Sequence, residues 1–249
     1  MGKKRRVAFN GSPIFEAHEK FRFSCHAGLP CYNRCCRDIS IFLSPYDVVR
    51  MKNRLGLDSG SFLRNYATRL TTRTGLFLVR LNMREEDDLK CHFVTPQGCR
   101  IYPDRPWACR MAPIDINNRG EYHFIFNDSH CIGLKETPEW TVETWMEDQG
   151  LVVYQELESV FRDLPSRIRF TGMPTLDRHI AEMYYMVCYD LDRFRKYIFE
   201  TSFLTNYAVP AQVADRIRTD DVELMKYGFT WLSDGVDVDK TIEIRDQVS

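Results

Sequence analysis

Apolar residues recur at helical spacing in several parts of the chain, most clearly in SPYDVVRMKNRLG. Ser44 suits an N-cap, Pro45 the first helical position, Asp47 the third, and Gly56 the end of a helix. A second, short helix is predicted for SGSFLRNYA and a strand for GLFLVRLNM. This part of the chain is therefore expected to hold short elements separated by turns.

Two hairpins are predicted after that strand. The first is KCHFVTPQGCRIY, in which a turn over 95–98 would place Cys91 and Cys99 on paired strands. The second joins APIDI to EYHFIF through a turn over 117–120. The acidic run REEDD at 84–88 precedes both hairpins, and we expect it to be a solvated turn rather than an acid–base site.

Helical spacing dominates the rest of the chain. A helix is predicted from Thr137 through WTVETWMEDQGLVVYQELESVF, with Gly150 bending or splitting it. Another is predicted for LDRHIAEMYYMVCYDLDRFRKYIFETSFL, and a last one for DDVELMKYGFTWL with Asp220 near its start. From Asp234 onward the sequence is polar and is expected to add little.

The expected fold class is α+β. A small cysteine-rich domain with short strands and helices would be followed by a mainly helical region. The predicted boundaries are an N-terminal tail at 1–20, the cysteine-cluster domain at 21–135, the helical region at 136–235 and a polar tail at 236–249.

Charge and hydropathy exclude several classes of function. The chain has 249 residues and a net charge of -1, so nothing in its charge favours nucleic-acid binding. No apolar run approaches the roughly 18 residues of a membrane span. The basic run Lys3–Arg6 has no apolar stretch behind it, which argues against a signal peptide, and Arg6 stands where myristoylation of Gly2 would need Ser or Thr. We therefore expect a cytoplasmic protein.

The chain is rich in cysteine, with nine residues of this type. An odd number without a signal peptide argues against a secreted disulfide scaffold, and clustered reduced thiols commonly bind metal. Cys188 lies in an apolar helical segment and is expected to be a buried, inert thiol. The other eight are the candidate metal ligands: Cys25, Cys31, Cys35, Cys36, Cys91, Cys99, Cys109 and Cys131.

The spacing of these cysteines leaves the kind of metal site open. No C-x2-C pair is present, which counts mildly against an ordinary zinc finger, whereas iron–sulfur clusters accept wider spacing. Side chains of adjacent residues diverge on a helix or a strand, so Cys35 and Cys36 would serve two sites or two corners of one polynuclear centre. Eight cysteines make two sets of four, but the sequence does not assign the sets.

Other residue types near the cysteines could contribute to the site. His26, His92 and His130 are each next to a cysteine and could either replace a thiolate or point away. Guanidinium groups could offset thiolate charge and donate hydrogen bonds to sulfur. The arginines within a few residues of a cysteine are Arg34, Arg37, Arg100, Arg105 and Arg110.

The segments CHAGLPCYNRCC, CHFVTPQGCRIYPDRPWACRMAP and SHCIG together resemble the YkgJ family of cysteine-cluster proteins, also called CxxCxxCC proteins. Members are described as zinc- or iron-chelating and often as containing an iron–sulfur cluster. The resemblance covers about residues 21–135. This chain departs from the family in having Cys-Ile-Gly at Cys131, where Cys-Pro-Gly is common, and five residues between Cys25 and Cys31, which makes Cys25 the least secure of the eight.

The resemblance implies that the eight cysteines bind the metal, with Tyr102, Arg105, Pro106 and Arg110 as a flanking signature. Tyr102, Arg105 and Arg110 are accordingly expected beside the bound group. The implied cofactor is an iron–sulfur cluster, 4Fe-4S favoured, with zinc as the alternative.

Three functions remain open from the sequence. The favoured one is redox chemistry or electron transfer with a redox partner. The second is a structural or carrier zinc protein. The third is a cluster-dependent enzyme acting on a protein substrate, since one relative of this domain type is a flagellin lysine methylase that needs SAM. Tyr102, Arg105 and Trp107 could line its pocket, but the chain has no Gly-rich SAM loop and no C-x3-C-x2-C run.

Overall fold

The computed structural model describes residues 7, 8 and 11–246; Gly2 and the basic run Lys3–Arg6 lie outside the described residues. The strands are β1 Ile14–Phe15, β2 Phe21–Arg22, β3 Phe42–Leu43, β4 Ala67–Thr71, β5 Phe77–Leu81, β6 Met83–Arg84, β7 Lys90–Cys91, β8 Val94–Thr95, β9 Gly98–Cys99, β10 Ile114–Ile116, β11 Tyr122–Phe124 and β12 Glu139–Trp140. The helices are α1 Pro45–Leu55, α2 Ser59–Tyr66, α3 Trp107–Met111, α4 Val142–Asp148, α5 Val152–Arg167, α6 Pro174–Tyr189, α7 Leu191–Phe199, α8 Phe203–Asn206, α9 Ala211–Thr219, α10 Asp221–Ser233 and α11 Val238–Asp246. Short strands in small sheets together with many helices confirm the predicted α+β class.

The chain folds into two compact units. The first unit joins the chain up to Ile41 with Asn82–Tyr154, and the second joins Phe42–Leu81 with the chain from Gln155 onward. The second unit thus includes a segment that lies within the cysteine-cluster domain predicted at 21–135. The domain boundaries predicted from the sequence stay a prediction. The limits of the two compact units do not coincide with them.

The first unit consists of small antiparallel sheets around an aromatic core. β1, β11 and β10 form one sheet, and β12–β2, β6–β7 and β8–β9 form pairs. The ring of Phe23 packs edge-on against Trp145 with 5.3 Å between centroids, and Trp145 donates from Nε1 to the carbonyl of Met111 at 3.1 Å. Burial of such rings supplies most of the stabilisation available to strands this short.

The second unit packs the sheet β3-β5-β4 against α1 and α2, which lie between β3 and β4 in the sequence, and against α6. The N-terminus of α1 has the predicted capping box, in which Ser44 and Asp47 exchange side-chain-to-backbone hydrogen bonds. Gly56 ends the helix at a φ of 66°, a left-handed conformation that glycine adopts at little cost. The sequence prediction for this helix is confirmed.

A buried ion cluster connects four helices of the second unit. The Lys52 ammonium of α1 lies 3.2 Å from an Asp192 oxygen of α7 and 3.0 Å from an Asp221 oxygen of α10. Arg195 binds the other oxygens of both carboxylates, at 2.7 Å and 2.5 Å. The Asp192 carboxylate also accepts the backbone N–H of Ser59 in α2. A charged lysine buried this deeply is stable only because both carboxylates compensate it.

One prediction for the cysteine-rich part of the chain needs correction. Cys91 and Cys99 do not lie on paired strands: Cys99 pairs with Val94, whereas Cys91 pairs with Met83. A turn at residues 92–93 separates the two short hairpins. The predicted turn over 95–98 and the hairpin β10–β11 are confirmed.

The helical predictions differ from the structure mainly at their boundaries. Residues 139–140 form β12 instead of a helix, because they pair with β2, and Thr141 then caps α4. Gly150, at a φ of 65°, separates α4 from α5, and Asp220, predicted near the start of the last helix, is the N-cap of α10. The long segment after residue 174 breaks into α6, α7 and α8.

The predicted polar tail is more structured than expected. It holds α11, whose Thr241 is buried with its hydroxyl 2.9 Å from a ring nitrogen of His179. No helix within the described part of the chain is long and apolar enough to cross a bilayer.

Candidate metal centre

The eight candidate cysteines all lie in the first unit, on four separate segments of chain. Cys188 is instead fully buried in α6 of the second unit, as predicted for a core thiol. Residues 25–36, here called the cysteine loop, consist of consecutive turns closed by short-range backbone hydrogen bonds. Cys25 in this loop is exposed and Cys31 is buried, while the remaining six candidates are half-buried.

Backbone contacts bring the cysteine loop next to the segment that holds Cys131. The N–H of Ser24 donates to the carbonyl of Gly133 at 3.1 Å, and the N–H of Phe23 donates to that of Pro138 at 3.0 Å. A β-carbon on Gly133 would overlap the carbonyl oxygen of Ser24. Glycine at 133 is therefore what allows the two segments to approach so closely.

One group of neighbouring thiols forms around this contact. The pKa of Cys25 is raised to about 11, first by partial desolvation of its sulfur and then by repulsion from three other thiolates. The pKa of Cys131 is raised by burial and then by repulsion from Cys31 and Cys35. These four thiols therefore influence one another electrostatically. The group, here called the first set, is Cys25, Cys31, Cys35 and Cys131.

A different set of contacts joins the cysteine loop to the hairpins. Cys91 donates its backbone N–H to the carbonyl of Cys36 at 2.9 Å. The Asn33 amide donates to the carbonyl of Thr95 at 3.1 Å, and the Tyr32 hydroxyl donates to that of Gln97 at 3.2 Å. A β-carbon on Gly98 would overlap the Tyr32 hydroxyl, so this glycine, at a φ of 117°, is favoured by both backbone conformation and space.

A second group of thiols forms on this side of the loop. The pKa of Cys36 is raised by its hydrogen bond to Cys35, by burial, and by the nearby charges of Cys35, Cys109 and Cys91. Burial also raises the pKa of Cys91, with Cys99 adding to it. The group, here called the second set, is Cys36, Cys91, Cys99 and Cys109.

The two sets meet at the adjacent pair Cys35 and Cys36. The thiol of Cys36 donates a hydrogen bond to the sulfur of Cys35, which lowers the pKa of Cys35 to about 7 and raises that of Cys36. The side chains of Cys35 and Cys36 thus diverge less than they would on a helix or a strand, because the loop here is a series of turns. Cys35 also raises the pKa of Cys25, in the first set, whereas Cys91 and Cys109, in the second set, raise that of Cys36.

Arg105 and Arg110, the two arginines predicted to lie beside the bound group, are held by different contacts. Arg110 is buried, and its guanidinium donates to the backbone carbonyls of Arg105 at 2.9 Å, Gln149 at 2.7 Å and Pro103. It therefore holds the segment before α3 in place, which positions Cys109. Arg105 lies over the ring of exposed Tyr102, with 3.8 Å from Cζ to the centroid, and bonds the Gln149 side chain.

Arg105 is also electrostatically close to the second set. Burial lowers its pKa, while the negative charges of Cys109 and Cys99 act in the opposite direction, and its own charge lowers the pKa of Cys99 against the effect of burial. Arg105 and Cys99 thus influence each other's pKa. The roles predicted for Tyr102 and Arg110 beside the bound group stay predictions.

The three histidines next to cysteines have other contacts. In His26, Nδ1 accepts the N–H of Gly28 at 3.2 Å and Nε2 lies 3.7 Å from Glu136. The ring of His130 stacks on Phe126 with 4.6 Å between centroids. The pKa of His92 is lowered, mainly by desolvation and next by Arg84. The rings of His26 and His130 thus have partners other than the cysteines.

The donor atoms suit a soft metal. Crowded thiolates raise each other's pKa, and a bound cation reverses that shift because it stabilises the deprotonated form. Zinc and iron–sulfur clusters are both held by four thiolates. Among the described residues, no group of three or more His, Cys, Asp or Glu side chains is preformed for a single ion. The two sets are therefore defined by backbone contacts and mutual electrostatic influence.

A family comparison agrees with this class of site. Residues 24–136 match the family model described as "CxxCxxCC: Putative zinc- or iron-chelating domain". This match confirms, for this part of the chain, the resemblance found in the sequence, and it supports metal binding there. No curated protein and no solved structure matches the chain.

Sequence reasoning missed several residues that shape the site. Gly133 and Gly98 allow close approaches, Tyr32 and Asn33 anchor the cysteine loop, and Gln149 bonds both arginines. Gly98 could have been found from the sequence, because it is the last residue of a predicted turn. The other four have partners that are distant in sequence, so no local pattern marks them.

Proposed function

We propose that the eight cysteines of the two sets hold one or two iron–sulfur clusters, 4Fe-4S in type, and that the protein works in redox chemistry or electron transfer. The observation that carries the proposal is the gathering of eight thiols from four chain segments within one unit. The deprotonated forms of so many neighbouring thiols are favourable only when a cation is bound among them.

Two features favour iron–sulfur chemistry over a simple zinc site. The wide spacing of the ligands, without a C-x2-C pair, suits a polynuclear cluster better than a single ion. Arg105 lies near Cys99 and Cys109, where its positive charge would offset that of a cluster and tune its potential. The exposure of Cys25 would bring one corner of a cluster to the surface, where a redox partner could exchange electrons.

The proposed compartment is the cytoplasm. All nine cysteines lie in the described part of the chain and are free, which a reducing compartment maintains. Metal-binding thiols must also stay reduced before they are loaded.

Zinc is the second candidate, because four-thiolate sets suit it equally and the family description names zinc or iron. In that case the metal would stabilise the first unit, whose strands are two or three residues long, and the function would lie in binding partners. The protein would then be colourless, and chelation of the zinc would unfold the first unit.

The test is the iron, zinc and acid-labile sulfide content of protein purified without air, together with its visible spectrum. We expect a brown protein with iron and sulfide in equal amounts. Cys35→Ser and Cys109→Ser should lose metal, whereas Cys188→Ser, in the second unit, should retain it. Zinc without sulfide would replace the proposal by the second candidate, and equal metal content in all three variants would contradict the ligand assignment.

A further inference from the structure

We infer that a groove between α6 and α7 of the second unit binds a small amphipathic anion, namely a carboxylic acid with an apolar chain. The groove has a volume of about 470 Å³, and small-molecule sites have volumes of about 300–1,000 Å³. Its lining residues belong to α6, to α7 or to Glu200, the C-cap of α7. All of them lie in the second unit, so the inference goes beyond the proposed function and does not depend on bound metal.

The two helices each present one face to the groove. The lining residues of α6 follow the i, i+3, i+4, i+7 pattern from Thr175 to Met186, and those of α7 follow it from Arg193 to Glu200. Side chains with this spacing lie on the same side of a helix. Only Asp190 separates the two helices in the chain. The groove is therefore formed by two consecutive helices rather than by a loop.

The floor of the groove is apolar. Met183 and Met186 of α6 are its most deeply buried lining residues, with 5% and 4% of their surface exposed. Tyr197 of α7 also lines the groove, and its ring packs edge-on against Phe203 with 5.5 Å between centroids. Methionine side chains are unbranched and polarizable, so they adapt to apolar groups of different shapes. This floor suits the aliphatic chain of a ligand.

The rim of the groove carries positive charge. Its exposed cations are Arg178, Arg193 and Lys196. No ion pair in the described part of the chain includes any of the three. Of the two carboxylates at the groove, Glu182 accepts hydrogen bonds from Arg69 at 2.9 Å and 3.0 Å, so its charge is already compensated. Glu200 alone opposes the three cations, and the surplus of positive charge attracts an anion.

Floor and rim together define the class of ligand. Guanidinium and ammonium groups bind carboxylates through charge-assisted hydrogen bonds, and the methionine floor removes an apolar chain from water. A stable protein partner would need about 800 Å² of surface on each side. The lining stripe of α7, from Arg193 to Glu200, spans only about 10 Å along the helix. The size of the groove therefore favours a small molecule.

The test is an NMR titration of the full chain, as isolated, with decanoate and with ¹³C-labelled methionine methyl groups. We expect saturable shifts of the Met183 and Met186 signals, which Met183→Leu and Met186→Leu identify. Met51 of α1, outside the groove, should not shift. Decanol has the same chain without the charge and should bind at least tenfold more weakly. Absence of shifts at both groove methionines, or equal binding of decanol, would overturn the inference.

A charge variant tests the rim separately. Arg178→Gln/Arg193→Gln/Lys196→Gln removes only exposed cations, so its unfolding temperature should equal that of the wild type. Exposed ion pairs are individually weak, and loss of all three should weaken decanoate binding about tenfold.

The matched control for this variant is Arg162→Gln/Arg167→Gln/Arg169→Gln, which removes the same charge from exposed positions outside the groove. It should bind decanoate as the wild type does. Equal weakening in both triple variants would show attraction by overall charge, and unchanged binding in the groove variant would show that the rim does not hold the head group. Either result would overturn the inference, whereas the metal content of the chain, measured separately, tests the proposed function.

Discussion

Cys91 donates its backbone N–H to the carbonyl oxygen of Cys36, with 2.9 Å between nitrogen and oxygen. This hydrogen bond fastens the end of the cysteine loop to β7 and places Cys36 among the thiols of the second set. Its chain neighbour Cys35 has its other thiol neighbours in the first set. One peptide bond thus separates two candidate ligands that interact with different groups of cysteines.

The close approach at Gly133 gives the first prediction. In Gly133→Ala the new methyl group would overlap the carbonyl oxygen of Ser24, so the segment carrying Cys131 must move away from the cysteine loop. Overpacking of this kind costs about 1–3 kcal/mol of unfolding free energy. We expect metal analysis to show a lower metal content than in the wild type, because Cys131 is displaced from the other cysteines.

Gly28→Ala is the matched control for this variant. A β-carbon at Gly28 would meet only the exposed side chain of His26, at 3.1 Å, and that ring can move aside. Metal content should therefore equal that of the wild type. If Gly133→Ala also binds the full complement, the close approach does not position Cys131.

The buried guanidinium of Arg110 gives the second prediction. Arg110→Met would leave the carbonyls of Pro103, Arg105 and Gln149 without this donor. Loss of a buried, charged hydrogen-bond donor costs about 3 kcal/mol. We expect denaturant unfolding to show this loss, and Arg119→Met, on an exposed turn, to show almost none.

The same variant separates two roles for Arg110. If Arg110 is structural, the variant loses free energy of unfolding, and its metal binding weakens only in proportion to that loss of stability. Normal stability with lost metal would show that the guanidinium acts directly on the bound group, as the family resemblance implies.

The ion cluster of the second unit gives the third prediction. Lys52→Met leaves Arg195 as the cation that still compensates the carboxylates of Asp192 and Asp221. Because this lysine is buried, we expect a loss of about 3 kcal/mol in the free energy of unfolding. Lys226→Met removes an exposed ion pair with Glu223 and should cost less than about 1 kcal/mol. Equal losses in a denaturant titration would contradict a stabilising role for the cluster.

Acid should weaken the same cluster. Burial acts to raise the pKa of Asp221, but hydrogen bonds from Arg195, Asn53 and Lys52 outweigh it and lower the pKa. A carboxyl with a depressed folded-state pKa contributes stability above its unfolded pKa of about 3.9, and that contribution is lost as pH falls through the folded-state value. The free energy of unfolding should therefore fall progressively as the pH drops below about 5.

Unfolding measured across this range in Asp221→Asn checks the prediction. The variant should be less stable at neutral pH and should lose less stability on acidification than the wild type does. The exposed Asp215→Asn variant should follow the wild-type curve. A wild-type slope in Asp221→Asn would show that other groups cause the acid dependence.

Local signals predicted much of the secondary structure. The capping box of α1, the caps at Gly56 and Asp220, and the turn at 95–98 depend on residues a few positions apart, so the sequence indicates them directly. The strand at 139–140 could not be predicted in this way. Glu139 and Trp140 adopt it because they pair with β2, which is far away along the chain.

The candidate site was predictable in its residue types but not in its arrangement. The number of cysteines and their spacing indicated a metal site, and the pair at 35–36 indicated more than one centre or corner. The division into two sets depends on Ser24–Gly133 and Cys36–Cys91, which are backbone contacts between distant segments. A pattern of side chains carries no information about such contacts.

The most direct measurement of metal content is native mass spectrometry of the full chain as isolated without air. We predict an intact mass that exceeds the apo mass by one or two bound metal centres, with the increment of iron and sulfide rather than of zinc. Cys99→Ser should lose bound metal and Cys188→Ser should lose none. A wild-type chain found only at its apo mass would contradict the proposal that these eight cysteines bind metal.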